Sequence, residues 1–354
     1  MSDLVVAGAG MAGLVAAAEA RRLGAAPVVF EKLGRAGGSM RLSSGVIWRH
    51  RELDRFLAEC PGGDPDLQRL LFERLDADLR WLESLGAPVA TRGTGNPLTA
   101  GVRFDPEGLT AALVAAAAGV RLSSPLRELP ATAPAILATG GFAADPALVR
   151  EHVTPEADHL LLRAEPGSTG DGLRLGLAAG AVLGVGLDEV YARAMPAPPA
   201  RVAPADFVRL SQLYALHAEV TNERGERHET ATWSEIDTAQ WMARQPRARA
   251  WFRVPRAALG ERVRDRTVGE MVEAAAAAGA PVRRDAEHVT VESVAGITTT
   301  LGGLRIDGAA RAARGVFACG ADAGGIATGG YASGLAAALV FGRIAARAAL
   351  GEGP

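Results

Sequence analysis

Leu4-Val5-Val6-Ala7-Gly8-Ala9-Gly10-Met11-Ala12-Gly13, followed by Glu31, is the stretch that decides the fold. Leu4 to Ala7 is a short apolar run suited to a buried parallel strand. Gly8, Gly10 and Gly13 space a G-x-G-x-x-G turn. Met11 to Leu23 reads as a helix closed by Gly24, and Val28-Val29-Phe30 as a second strand ending at Glu31. The chemistry suits one kind of ligand. Gly8 permits the tight turn, Gly10 lets backbone approach a pyrophosphate, and Gly13 lets helix pack on strand. The helix start offers free N–H groups and the positive end of its dipole to phosphates. Glu31 lies close to the usual offset of roughly 20 residues, where an acid accepts ribose hydroxyls. A lone glycine turn would be weak evidence. Two strands, the helix and the acid together predict a dinucleotide site.

The next loop selects the dinucleotide. Gly34-Arg35-Ala36-Gly37-Gly38-Ser39 comes directly after Glu31-Lys32. A nicotinamide domain needs no second glycine-rich loop there, whereas the longer FAD must be threaded past more backbone. Ala135-Ile136-Leu137-Ala138-Thr139-Gly140-Gly141-Phe142 reads as a buried strand ending in a glycine turn. Gly315-Val316-Phe317-Ala318-Cys319-Gly320-Ala321-Asp322 repeats that form before a helix from about Ser333 to Ala349. FAD is therefore the expected cofactor.

Further segments carry a family resemblance. They are Gly37-Gly38-Ser39-Met40-Arg41-Leu42-Ser43-Ser44-Gly45-Val46-Ile47-Trp48, Ala138-Thr139-Gly140-Gly141-Phe142 and Ser168-Thr169-Gly170-Asp171-Gly172. Next come Thr221-Asn222-Glu223-Arg224-Gly225-Glu226-Arg227, Thr300-Leu301-Gly302-Gly303-Leu304-Arg305-Ile306-Asp307 and Gly329-Gly330-Tyr331-Ala332-Ser333-Gly334. In this order, over nearly the whole chain, they resemble the superfamily of FAD enzymes that includes fumarate reductase, the succinate dehydrogenase flavoprotein and 3-ketosteroid Δ1-dehydrogenase. The resemblance implies an α/β fold: a Rossmann-like FAD-binding domain, residues 1–188 and 290–354, with an inserted α+β capping domain, 189–289. It also implies cofactor contacts at Gly8, Gly10, Met11, Ala12, Gly13, Glu31, Lys32, Gly38, Ser39, Ser43, Ser44 and Gly45. Leu126, Thr139, Gly140, Asp171, Gly320, Ala321, Asp322, Gly334 and Leu335 complete the set. Asp171 and Asp322 each have a plainer reading, as caps of backbone N–H groups. No histidine stands between Gly37 and Gly45, so the FAD is expected to be non-covalent. Members of this superfamily usually insert a β-meander before the A-T-G-G strand. Here only Arg127 to Pro134 intervenes, so the fold is expected to be trimmed.

Composition bounds the rest. A chain of 354 residues, 48% hydrophobic, can bury a large core and more than one domain. A net charge of -2 argues against nucleic-acid or anionic-membrane partners. Lys32 is the only lysine, which excludes Schiff-base chemistry elsewhere. Cys60 and Cys319 stand far apart, without the spacing of a redox pair. No metal site is expected. The apolar run Gly334 to Leu350 is interrupted by Arg343 and Arg347 and reads as a core helix, not a membrane span. A strand begins almost at the first residue, so a cytoplasmic protein is expected.

The chemistry has to come from the site, because the fold hosts many reactions. In fumarate reductases the pattern supplies histidine near H-x-T-M-G-G, arginine in the last glycine loop and an acid arginine in the cap. Here Thr298-Thr299-Thr300 occupies the histidine region, and Gly329 or its neighbours the place of the loop arginine. Fumarate is therefore not the expected substrate. Tyr331 is the candidate for polarising a carbonyl or passing a proton, or else it packs against the flavin edge or the cap. Arg253 and Arg256 are candidates for the cap's acid, or else surface arginines. Tyr214 and His217 are candidates for entering a pocket. The expected function is addition or removal of hydrogen across a Cα–Cβ bond beside a carbonyl or carboxylate. The expected partners are a carbonyl-bearing small molecule and an electron donor or acceptor the sequence does not identify. Oxidation of a C–N or C–OH bond, or a non-catalytic flavin-binding partner, are the alternatives.

Overall fold

Leu4–Ala7 is buried on both faces, as four consecutive apolar residues require. It lies inside a six-stranded sheet of order Arg311–Ala313, Val316–Ala318, Ala135–Leu137, Leu4–Ala7, Pro27–Phe30 and Val120–Arg121. Leu4–Ala7 runs parallel to both neighbours. Only Arg311–Ala313 is antiparallel to its partner. This computed structural model describes residues 3–353. The expected α/β architecture is present. Its contacts divide the chain into two units: the residues up to Asp145, Glu165–Glu189 and Thr299 onward form one, Pro146–Ala164 and Val190–Thr298 the other.

In the first unit, helix Met11–Arg22 follows the central strand, and every residue from Met11 to Ala20 is buried. Alanine, the best helix former, lets it sit so closely among neighbours. Helix Gly334–Ala349 packs against it, and a Cβ at Gly342 would stand 2.8 Å from the Ala12 carbonyl oxygen. Glu19, fully buried, accepts from Arg22, Arg343 and Arg347, and Arg343 also pairs with buried Asp78. Burial alone would raise the Glu19 pKa. The three guanidinium groups instead hold it down, at about 2.

A three-stranded antiparallel sheet, Val46–His50, Thr99–Phe104 and Val89–Arg92, flanks helix Pro65–Ser84 within this unit. Helix Pro106–Ala117 follows strand Thr99–Phe104. Asp105 caps it by accepting from Gly108 N at 2.6 Å, with Pro106 in the first turn. No strand lies between Val120–Arg121 and Ala135–Leu137 among the described residues.

The second unit is built on a seven-stranded sheet whose spine is residues 288–298 of strand His288–Thr300. Arg249–Pro255 and Val282–Arg284 pair with it antiparallel, and Leu161–Leu162 pairs parallel. Helix Val268–Ala277 begins with a capping box between Thr267 and Glu270. No helix among the described residues is long and apolar enough to cross a membrane.

Candidate functional site

The first glycine loop is shaped by three different glycine requirements. Gly8 adopts φ +99°, and a Cβ there would stand 2.2 Å from the Ala138 carbonyl oxygen. A Cβ at Gly13 would stand 1.9 Å from the Gly8 carbonyl oxygen, so only glycine lets helix Met11–Arg22 sit against the strand. Gly10 is different, because nothing lies within 4 Å of its absent Cβ. It is the N-cap of Met11–Arg22 and makes no side-chain cap bond. Gly10 thus keeps space open beside the first turn of the helix, whose N–H groups have no intrahelical partner, as an approaching pyrophosphate requires.

Glu31 is buried and holds this loop from below. Its carboxylate accepts from Ala9 N and Leu33 N, both at 2.8 Å. The second glycine loop is stitched to the first, since Gly37 N donates to the Ala9 carbonyl at 2.8 Å. Gly38 and Ser39 open the short helical turn Gly38–Leu42, and Ser39 Oγ accepts from Glu165 N at 3.0 Å. Ser43 Oγ donates to the Met40 carbonyl and accepts from Gly45 N. Ser44 lies between them, and Gly45 passes against the Phe104 carbonyl. Lys32 reaches across to Thr169 Oγ1 at 2.6 Å and to Asp171 at 2.8 Å. Asp171 therefore serves as an ion-pair partner, and Gly170 occupies the N-cap of helix Asp171–Ala178. Leu126 is half-buried just beyond the edge strand Val120–Arg121.

The two strand-to-glycine stops also meet. Asp322, fully buried, accepts from the backbone N–H groups of Thr139 and Gly141 and from the Thr139 hydroxyl. Thr139 Oγ1 in turn accepts from Gly172 N at 2.9 Å. Burial pushes the Asp322 carboxyl above the usual carboxylate range, against the pull of those donors. Asp322 is thus committed to holding the A-T-G-G turn. Gly140 and Gly141, both at positive φ, leave that turn without side chains, and Gly320 passes close to Ala12. Ala321 approaches Gly141. Thr300 and Thr328 each bury a hydroxyl that has no protein partner. Helix Gly334–Ala349 starts at a Ser333 cap, with nothing within 4 Å of the absent Gly334 Cβ, and Leu335 comes next in its first turn.

These features fit FAD. The open Gly10 face suits the pyrophosphate and Glu31 the adenosine ribose. The orphaned hydroxyls and the open start of the last helix suit a polar ring system further along. Tyr331 lies half-buried in the loop leading to that helix. Its ring meets Trp48 at 5.1 Å, and its carbonyl contacts His50 Nε2 at 3.2 Å.

The second unit separates the remaining candidates. Arg253 is exposed and paired with Glu219 and His288, and Arg256 is exposed with Nε donating to the Asp285 carbonyl. Along Arg249–Pro255 the alternate residues Ala250, Phe252 and Val254 point inward, so Arg253 faces out. Tyr214 is a core residue, fully buried, donating to Gln212 at 2.8 Å. His217 sits on a short turn, half-buried. Asn222 folds its own turn, accepting from Arg224 N and Glu226 N.

Sequence reading missed the buried charges of this unit. Arg163 donates to Thr298 Oγ1 at 2.9 Å. Arg193 donates to the Tyr191 hydroxyl at 3.0 Å and to the Ser234 carbonyl. Glu235 is buried at φ +57°, and desolvation lifts its carboxyl above the usual range despite the Ala215 and Leu216 amides and Arg193. One signal existed: Arg193 is a lone cation inside the otherwise apolar strand Val190–Pro196.

A model of the family described as "FAD binding domain" matches residues 3–123 and 115–335. Among solved structures, the open form of a flavocytochrome c3 fumarate reductase superposes with a TM-score of 0.74 at 20% identity, covering 98% of this chain and 78% of that one. A 3-ketosteroid-Δ4-(5α)-dehydrogenase from Rhodococcus jostii RHA1, solved with 4-androstene-3,17-dione, gives 0.73 at 19% identity, covering 98% and 96%. The 3-ketosteroid Δ1-dehydrogenase of Sterolibacterium denitrificans gives 0.72 at 15%, covering 99% of both chains. No curated protein matches significantly in sequence.

Proposed function

Because the chain belongs to the family of FAD-binding domains, we propose that this FAD-dependent oxidoreductase adds or removes hydrogen across a Cα–Cβ bond beside a carbonyl or carboxylate. When bound, the flavin supplies the hydride donor or acceptor. The chain's own residues do the rest. The Gly8–Gly13 turn, Glu31, Lys32 and the Gly38–Gly45 segment hold the cofactor. The start of helix Gly334–Ala349 offers N–H groups to negative charge on the ring system. Tyr331 is the proton handler, or the donor to a substrate carbonyl whose neighbouring C–H must be acidified.

One observation carries this reading. Loop 324–333 contains Tyr331 and no cation. A dicarboxylate would need a charged grip there, whereas a single carbonyl on a more apolar body needs only a hydroxyl. Arg253 and Arg256 are engaged with surface partners, so the proton role falls first to Tyr331. The steroid ligand of the Rhodococcus relative supports trying cyclic ketones. The FAD is held without a covalent link, so acid or heat should release it intact.

Anaerobic mixing tests the proposal. Saturated cyclic ketones should bleach the oxidised holoprotein, or the matching enones should restore colour to the dithionite-reduced form. Fumarate, offered to the reduced form, should leave it reduced. A response to amines or alcohols alone would move the protein to C–N or C–OH oxidation. Silence toward every compound would point to a non-catalytic flavin-binding role.

A further inference from the structure

The last glycine loop is held by other segments of its own unit. Asp64 N donates to the Gly325 carbonyl at 2.7 Å, and Gly62 N to the Thr328 carbonyl at 3.1 Å. Gln68 Nε2 donates to the Ile326 carbonyl at 3.0 Å, and Gly329 N donates to Glu189 Oε2 at 2.7 Å. A Cβ at Gly330 would stand 1.6 Å from the Glu59 carbonyl oxygen, so the loop lies directly on the end of helix Leu53–Glu59. Just before helix Gly334–Ala349, His50 Nε2 meets the Tyr331 carbonyl, 3.2 Å across 281 residues of sequence.

His50 is built in rigidly. It is 1% exposed at the end of strand Val46–His50. Its ring stacks on Phe56 at 5.3 Å and meets Trp48 edge-on at 5.3 Å. Trp48 in turn leans on the Tyr331 ring. Imidazole and indole thus grip the same residue, one at its backbone and one at its side chain. Burial lowers the His50 pKa, against the Tyr331 carbonyl and Glu59; Arg55 adds to the lowering. The neighbouring Cys60 thiol, pushed up to about 12 by burial, stays neutral as well. A neutral imidazole has a single N–H, and a carbonyl facing Nε2 requires that proton on Nε2.

We propose that His50 is a positioning residue for the flavin site. Its Nε2–H fixes the Tyr331 carbonyl, which sets the direction of the Tyr331 side chain and the point where helix Gly334–Ala349 begins. The inference rests on the proposal that this loop borders the flavin. It does not depend on which substrate reacts.

The test uses the purified FAD-loaded protein and no substrate. His50→Phe keeps an aromatic ring against Phe56 and removes the donor. FAD affinity should fall about tenfold, the scale of one hydrogen bond. The visible flavin band should change shape. His50→Gln places an amide nitrogen near the Nε2 position and should recover both affinity and band shape. In the wild type, imidazole ¹⁵N resonances should report a neutral Nε2–H tautomer across neutral pH, a reading that needs no variant to fold. Wild-type affinity and spectrum in His50→Phe would overturn the proposal. So would His50→Gln failing as badly as His50→Phe, or an Nδ1–H tautomer in the wild type. Failure of the oxidoreductase reading would leave all three measurements untouched.

Discussion

We propose that Glu31 has two tasks at one carboxylate. It already accepts from Ala9 and Leu33 N–H groups, which fixes its oxygens under the glycine loop and leaves lone pairs for ribose hydroxyls. Glu31→Arg should therefore damage the loop and repel the ligand's approach together. We expect FAD affinity to drop by at least about 10²-fold, from losing charge-assisted bonds of about 1.5–3 kcal/mol. Undiminished FAD content in the purified variant would refute the assignment. Tyr331→Phe isolates one hydroxyl. If Tyr331 moves the proton, flavin reduction or reoxidation by substrate should slow about 10²-fold with FAD still bound. An unchanged stopped-flow rate would reduce Tyr331 to a packing residue.

Among the secondary-structure elements, the glycine loop depends on close backbone approach. Gly13→Ala would place a methyl 1.9 Å from the Gly8 carbonyl oxygen, and backbone cannot yield as a flexible side chain can. The helix should shift off the strand, costing about 1–3 kcal/mol and most FAD binding. Gly10→Ala meets no protein atom, so it should leave the melting temperature of the apoprotein unchanged while weakening FAD. A Gly10→Ala protein that loads FAD normally would contradict the open face proposed for the pyrophosphate. The same contrast explains what the sequence made legible. The first strand, its helix and the A-T-G-G stop were readable because their signals are local: apolar runs, glycine spacing and caps. Arg253, a candidate acid from the sequence, faces outward in the structure, where the buried residues Phe252 and Val254 flank it. The His50–Tyr331 contact was not readable, because neither residue carries a local pattern that names the other. Nor did composition distinguish Arg163 and Arg193 from the arginines at the surface.

Over the full length of the chain, the first unit is pinned by a buried charge cluster joining its first and last helices. Glu19 accepts from Arg343 at 3.2 Å across 324 residues of sequence. Its carboxyl is held at about 2, below the ordinary 4.5. A depressed acid contributes stability above its unfolded pKa and loses it as pH falls through the folded one. That stability, about 3 kcal/mol, should be present at neutral pH and lost between about 4.5 and 2. Asp78 and Asp322 run the other way, since burial raises them and acid relieves their cost. Glu19→Gln should lower the melting temperature at pH 7 and flatten its acid limb, which thermal melts across pH can check. An acid limb as steep as that of the wild type would refute this role for Glu19.

Hydrogen transfer across a carbon–carbon bond at the bound FAD leaves a signature in the mass of the product. The oxidised holoprotein would be mixed anaerobically with a saturated cyclic ketone in a single turnover, and the reduced holoprotein with the matching enone. Mass spectrometry would then weigh the recovered compound. We expect a product lighter by H₂ from the ketone, or heavier by H₂ from the enone, in an amount matching the flavin that changed colour. Flavin that changes colour while both compounds return at their original mass would contradict the proposed reaction.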